Sequence, residues 1–405
     1  MYRSIEIFES GSKKISQGRN YLLEGDVDST LKGMEPGEWI LLKDRKNKTI
    51  WLCMTDGNKS QPNKGLLILQ KIKSKEAIIS SEAYVNEKIA SALDKRRIFT
   101  DYRDGSRLFF ADEDGLPGLI IDEFKNVIIV QCNLYGTEKV KEAIGNAIKK
   151  RLSKKIFFMD DTKQRRKLLL PSNPESRLNE NIIVCENGLE FSLESDQLQK
   201  TGWFYDHREN RFKLENLLKR LNIPKQKALD LFCYQGAWGM YCLKAGFTDV
   251  YFVDQANIEA NLSLNLQRNK FQPQKFFRED VFKWLEEAQG RDETFNVVIS
   301  DPPAFTQSPK DKSSALYAYQ KIHEFVLKLA DNNALVVLAS CSQHVEEDDF
   351  FQTIVMASKV AKKNVQLLER GLQGWDHPFS ITKGNQKYIK CFYLLVSDIN
   401  PGEKL

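Results

Sequence analysis

From about residue 196 onward, short apolar runs alternate with segments of helical period, and this alternation restricts the possible folds more than any other feature of the chain. "KALDLFCYQGAWGMYCLKAG" reads as a strand, a glycine turn and a helix; "DVYFVDQANIEANLSLNLQRN" repeats that order, and "FNVVISDPPAF" is a further strand stopping at Asp-Pro-Pro. In "ALYAYQKIHEFVLKLADNN", Leu316, Tyr319, Ile322, Val326 and Leu329 fall on one helical face, and "ALVVLAS" follows as the next strand. Strands this uniformly apolar need cover on both faces, which crossover helices between parallel strands supply. The expectation for residues 196–405 is an α/β fold with a Rossmann-like, doubly wound sheet.

A chain of 405 residues exceeds what one hydrophobic core usually serves, so further domains should precede this one. Residues 1–75 read as short strands punctuated by Gly, Asn, Asp and Pro ("YLLEGDV", "GEWILLKD", "KTIWLCMTDG", "GLLILQKIK"), the pattern of a small N-terminal β-barrel or sandwich. Residues 76–195 read as a central mixed α/β domain. It opens with an amphipathic helix over 82–98 carrying Tyr84, Ile89, Leu93 and Ile98, followed by two strand-like runs around "DEDGLPG".

Charge is distributed unevenly between these parts. The net charge is +5, and residues 1–75 hold 14 basic against 9 acidic side chains while the remainder balances. A second cluster, "KKRLSKKIFFMDDTKQRRK" at 149–167, has nine basic residues against two acidic. Two such clusters suit a polyanionic partner, nucleic acid above all. No apolar run approaches the roughly 18 residues a membrane helix needs, so no membrane partner is expected. "MYRSIEIFES" shows no basic segment leading into an apolar one, which predicts no secretory leader. Seven cysteines without a C-x-x-C pair suit reduced thiols in the cytoplasm rather than disulfides or a metal site.

Open α/β sheets bind ligands beyond the carboxyl ends of their strands. Four features fall there: "DLFCYQGAWG", Asp254, Asp301-Pro302-Pro303 and Ser340-Cys341-Ser342. Phe232, Tyr234 and Gly236 of the first turn would approach a cofactor, and Asp254, 24 residues beyond Asp230, would accept hydrogen bonds from two ribose hydroxyls. The turn lacks the G-x-G-x-x-G that cradles a pyrophosphate, which argues against a nicotinamide-dependent oxidoreductase. S-adenosylmethionine, a nucleoside without phosphate, fits instead. Asp280, with Val281 after it, would hold the adenine amino group, cap a helix, or do both. Asp301 cannot easily enter a helix before Pro302 and Pro303, so its carboxylate is aimed from a stiff loop bordering cofactor and substrate.

If the strands ending at Asp301 and Cys341 are neighbours, carboxylate and thiol flank one crevice, and the pairing suggests a reaction. Carbon 5 of cytosine is a poor nucleophile; a thiolate added at C6 makes an enamine whose C5 can attack a methyl sulfonium. Cys341 is then the nucleophile, and Asp301 contacts N3 and the exocyclic amine.

Residues 196–400 resemble the class I S-adenosylmethionine-dependent methyltransferases. The chain as a whole resembles the RlmI-type family of bacterial large-subunit ribosomal RNA cytosine-5 methyltransferases, through "DEDGLPGLIIDEFKN", "KTGWFYDHRENR", "REDVFKWL", "SDPPAF", "SCS" and "DHP" in that order. The resemblance implies a PUA domain, an RNA-binding module, for residues 1–75. It also implies Cys341 as covalent nucleophile, Asp301 as its partner, and Lys200, Thr201, Gly202, Asp206 and Arg208 as the lining of the cofactor or substrate entrance. The implied partner is large-subunit ribosomal RNA or an assembling ribosomal particle, with a homodimer left open. Three positions depart from the pattern: Ala237-Trp238 replace a small residue and Phe, "GRNYLLEGDV" replaces His-Pro-Trp, and Ala304 stands where some RNA cytosine-5 enzymes carry a second cysteine. The group that removes the C5 proton is therefore not identified. A guanine-methylating relative and a noncatalytic RNA-binding or ribosome assembly factor are the competing readings.

Overall fold

The computed structural model describes residues 2–44, 46, 49–57, 63–72, 78–102, 104–160, 162–172, 178–195, 201–306, 308–381 and 387–399. The chain divides into two units. One comprises Met1–Cys185, Leu193–Trp203 and Asp376–Asn385; the other comprises Glu186–Ser192, Phe204–Trp375 and Gln386–Leu405.

The first unit opens with β1 (Arg3–Glu6), α1 (Glu9–Ser16), β2 (Tyr21–Leu23), β3 (Trp39–Asp44), β4 (Thr49–Thr55) and β5 (Gly65–Ile72). Their sheet has the order β1-β3-β4-β5-β2, with β1 parallel to β3 and the other pairs antiparallel. An antiparallel bridge between Ile7 and Val27 then joins the ends of its first and last strands. The four strand segments expected from sequence are β2 to β5. β1 and α1 escaped notice because "RSIE" and "ESGSKKIS" are too short and polar to show a period.

Alternation along β3 and β4 sends side chains into two cores. Ile40, Leu42, Trp51 and Cys53 join Leu22, Val27 and Leu66. Trp39, Leu41, Leu52 and Met54 enter a second core with Tyr84, Ile89 and Leu93 of α2 (Ser81–Arg96). Strands from residues 1–75 and the helix α2 thus share a core within the unit that begins Met1–Cys185. Ser80 caps α2 by accepting the Ala83 N–H at 3.2 Å. The helix ends before Ile98, which is 75% exposed and not part of its apolar face.

Next come β6 (Ser106–Phe110), β7 (Leu119–Glu123), β8 (Val127–Cys132), α3 (Tyr135–Glu138), α4 (Lys141–Lys149), β9 (Lys155–Phe158) and α5 (Lys163–Lys167). They form a four-stranded sheet in the order β6-β7-β8-β9 with its helices. The basic cluster at 149–167 is only partly a surface. Arg165 is fully buried, 2.8 Å from Glu138 Oε2, and Lys154 pairs with Glu123 at 2.9 Å. β10 (Ile182–Glu186) and β11 (Leu189–Leu193) complete this stretch of chain.

The second unit contains α6 (Arg208–Arg220), β12 (Lys227–Leu231), α7 (Ala237–Lys244), β13 (Asp249–Asp254), α8 (Glu259–Arg268), β14 (Lys275–Arg278), α9 (Val281–Gly290) and β15 (Phe295–Ser300). It continues through α10 (Lys312–Leu329), β16 (Ala330–Ser340), α11 (Glu347–Ala361), β17 (Lys363–Gly371) and β18 (Lys390–Asp398). Its seven strands take the order β14-β13-β12-β15-β16-β18-β17. Pairing is parallel throughout except at β18, which is antiparallel to both neighbours. This is the Rossmann-like sheet expected from sequence. The chain winds outward from β12 to β14, returns, and winds the other way from β15, so the topological switch point lies between β12 and β15. Tyr319, Ile322, Val326 and Leu329 of α10 are buried against the sheet as predicted, with Leu316 at the margin of that core.

Candidate active site

Register aligns the carboxyl ends of the strands. Leu231 pairs with Val253 on one side and Ser300 on the other, and Ser300 pairs with Leu338. Phe232, Asp254 and Asp301 each stand one residue beyond that row, and Cys341 stands three beyond it. The four strand-end features recognised in sequence are therefore brought to one rim.

At the switch point the backbone turns sharply. Phe232, Tyr234 and Gly236 have φ of 57°, 48° and 75°, left-handed values that cost side-chain-bearing residues about 1 kcal/mol or more. The left-handed φ of Gly236 favours glycine, and a Cβ there would stand 2.5 Å from Leu262 Cδ1, which would have to move. Asp254 ties this loop down. Its Oδ2 accepts the Tyr234 N–H and its Oδ1 accepts the Ala256 N–H, each at 2.9 Å, and each oxygen retains a lone pair for a hydroxyl. Asp230, fully buried behind the loop, accepts the Gly239 N–H at 2.8 Å. Burial, then the nearby Asp301 and Asp254, push its carboxyl up to about 8. Asp280 caps α9 with Oδ1, which accepts from Phe282 N and Lys283 N at 3.0 and 3.2 Å, while Val281 is buried in the core. The left-handed loop, the doubly anchored Asp254 and the exposed cap at Asp280 fit a nucleoside-bearing cofactor with ribose hydroxyls and no phosphate.

Across the switch point, the indole N–H of Trp238 donates to Asp301 Oδ2 at 3.0 Å. His207 Nε2 lies 3.5 Å from Asp301 Oδ1. An amide nitrogen of Asn210 stands 3.1 Å from His207 Nδ1, on the far side of the ring from Asp301. Trp238 and His207 also pack edge to face, with ring centroids 5.5 Å apart. The carboxylate of Asp301 is thus oriented by the Trp238 N–H, with the His207 ring beside its other oxygen. Pro302 beside it is buried, whereas Pro303 and Ala304 are exposed.

Cys341 is half-buried at the end of β16, between two serines facing α10. Ser340 Oγ donates to the Tyr319 hydroxyl at 2.9 Å, and that hydroxyl shares a second 2.9 Å hydrogen bond with Ser342 Oγ. Burial pushes the Tyr319 phenol up to about 12 against those serine bonds, and both Cys341 and Asp301 add to the rise. Thiol and carboxylate therefore act on the same phenol from neighbouring strand ends. Opposite Ser340 stands Lys390, 3% exposed, donating to Ser342 O at 2.6 Å and Tyr388 O at 3.1 Å. Burial lowers its pKa to about 8, and the Cys341 thiol opposes that change. By contrast, burial holds the thiols of Cys233 and Cys242 well above the ordinary value, as suits core residues.

Of the expected entrance residues, Thr201 and Gly202 belong to the first unit, where Thr201 is buried and Gly202 has φ of 106°. Lys200 lies outside the described residues. Asp206 and Arg208 are buried in the second unit: Asp206 Oδ2 accepts from the Tyr388 hydroxyl at 2.8 Å, and the Arg208 guanidinium covers the Tyr205 ring. Sequence reasoning passed over His207, Tyr319 and Lys390. Tyr319 was read only as core; Lys390 could have been found as a lone cation opening the apolar run "CFYLLV". Among the described residues, no helix is long and apolar enough to cross a membrane and no cluster of side chains could hold a metal.

The model of the family described as "Conserved hypothetical protein 95" matches residues 208–368. Over 326 residues the chain is 33% identical to a Methanocaldococcus jannaschii protein provisionally named ribosomal RNA large subunit methyltransferase MJ1653, covering 78% of this chain and 81% of that one. It is 28% identical over 407 residues to ribosomal RNA large subunit methyltransferase I of Photobacterium profundum, covering 97% and 99% of the two. In fold it is similar to a structure provisionally assigned as a SAM-dependent methyltransferase of Streptococcus mutans, with TM-score 0.74, 18% identity, and coverage of 97% of this chain and all of that one. With a relative this similar over most of both lengths, the chain belongs to the family of S-adenosylmethionine-dependent ribosomal RNA large subunit methyltransferases of the RlmI type.

Proposed function

We propose that this protein methylates C5 of a cytosine in large-subunit ribosomal RNA through a transient bond between Cys341 Sγ and C6 of the base. One observation carries the reading: Cys341 and Asp301 follow adjacent parallel strands beside the left-handed cofactor loop, and both act on Tyr319. The names of the relatives support ribosomal RNA as substrate.

Bound S-adenosylmethionine supplies an electrophilic methyl group; Phe232, Tyr234, Gly236, Asp254, Asp280 and Val281 are the residues that would hold it. The thiolate of Cys341 adds to C6, moving the C5–C6 π electrons onto C5, which becomes nucleophilic enough to take the methyl group. Asp301, held by Trp238, accepts a hydrogen bond from the exocyclic amine and sets the ring's orientation. Loss of the C5 proton then restores the double bond and expels the thiolate. Residues 1–75 act as a PUA-like RNA-binding domain, 76–195 as a central domain, and 196–405 as the catalytic domain. The basic surplus of the first of these supports its RNA contacts.

The test is methyl transfer from labelled S-adenosylmethionine to large-subunit ribosomal RNA, followed by nucleoside mass analysis. Wild type should yield 5-methylcytidine, and Cys341→Ala should yield none while still binding cofactor. A methylated guanosine as product, with Cys341→Ala fully active, would replace this reading with amine methylation directed by Asp301.

A further inference from the structure

We propose that Lys390 is the cation that keeps the Cys341 sulfur as a thiolate, a positioning residue for the covalent step; this rests on the reading of Cys341 as nucleophile.

Lys390 opens β18 directly across from Ser340, and its ammonium reaches past the end of β16 to the carbonyl of Ser342, the residue after Cys341. Its other acceptor is the carbonyl of Tyr388, on its own chain segment. Two carbonyls solvate the charge without neutralising it. Among the described residues no carboxylate lies within 4.0 Å of the ammonium, although the residue is 97% buried, and a buried, uncompensated cation costs several kcal/mol. Such a group persists where function uses it.

The candidates for its counter-charge are few. Cys341 is its strongest favourable electrostatic partner, ahead of Glu346 and Glu347. Glu347 is already engaged by Arg370 and Lys387, and Glu346 caps α11. At neutral pH the ammonium still holds its proton, so it stabilises S⁻ over SH. The thiol proton leaves to water, the sulfur carries the pair that will bond C6, and Lys390 stays protonated throughout. Tyr319, bonded to the serines on both sides of Cys341, ties this strand end to α10.

The experiment follows alkylation of Cys341 by iodoacetamide against pH in the full-length protein, by peptide mass spectrometry, with half-buried Cys185 as internal comparison. Wild type should show a midpoint for Cys341 at least one unit below the ordinary thiol value of about 8.5. Lys390→Met should raise it by a unit or more, and Lys390→Arg should keep it low. A wild-type midpoint at or above 8.5, or a folded Lys390→Met protein with an unmoved midpoint, overturns the proposal. If Lys390→Met does not fold, the wild-type midpoint and the Lys390→Arg profile still decide. Alkylation needs no RNA, so failure here is separate from failure of cytosine methylation, which Cys341→Ala tests.

Discussion

The indole nitrogen of Trp238, on the helix after β12, stands 3.0 Å from Asp301 Oδ2, on the loop after β15. A single hydrogen bond thereby spans the point where the sheet reverses its winding, joining the start of α7 to the Asp-Pro-Pro segment. Where the family pattern has Phe, this chain has a residue that packs like Phe and also donates a proton.

Trp238→Phe keeps the ring and deletes the donor. A hydrogen bond to a charged group contributes about 1.5–3 kcal/mol, so kcat/KM for methyl transfer should fall roughly tenfold or more. Cofactor affinity should hardly change. A rate within twofold of wild type would show that this hydrogen bond does not orient the carboxylate during the reaction.

Asp254 connects both sides of the cofactor loop through Tyr234 and Ala256. Asp254→Ala should weaken S-adenosylhomocysteine binding by about two orders of magnitude, the loss of two hydrogen bonds to a charged acceptor. Asp254→Asn, which keeps one oxygen, should fall between. Titration calorimetry measures both, and unchanged affinities would remove Asp254 from the cofactor site.

Asp230 makes stability depend on pH. Its folded carboxyl is raised to about 8 from an ordinary 3.8. Between those values the folded protein holds a proton that the unfolded chain has lost, so this group's contribution to stability falls as pH rises from about 4 to 8. Asp230→Asn keeps an acceptor for the Gly239 N–H and removes that slope. Its melting temperature relative to wild type should climb across this window and level off above pH 8, by more than about 2 °C in total. A constant difference between the two proteins would contradict the raised carboxyl.

Glu186 and Arg211 form a buried bidentate pair at 2.6 and 2.8 Å, with the Tyr241 hydroxyl donating to the same carboxylate at 3.1 Å. Arg211→Met strands a buried carboxylate and should cost about 3–5 kcal/mol in denaturant unfolding. The double variant with Glu186→Leu should recover a large part of that loss. Equal destabilisation in single and double variants would mean that packing, not charge, dominates there.

Much of this protein is written locally. The apolar strands of residues 227–340, the face of α10, the proline-stiffened Asp301 and the position of Cys341 at a strand end all follow from periods and turn chemistry, because burial of one element is encoded in its own residues. Which elements touch is not encoded that way. The pairing of β12 with β15 skips two strands, and Lys390 meets Ser342 from 48 positions away. Likewise Trp39 and Ile40, adjacent in sequence, enter different cores, a partition that strand alternation alone does not assign. Sequence alone determined the α/β class and pointed to the candidate cofactor loop, thiol and carboxylate. Only tertiary structure decided that Trp238 holds Asp301 and that a buried lysine reaches the carbonyl of Ser342, next to the cysteine. Those contacts depend on strand order and register, and these are chosen by packing and hydrogen bonding summed over the whole sheet.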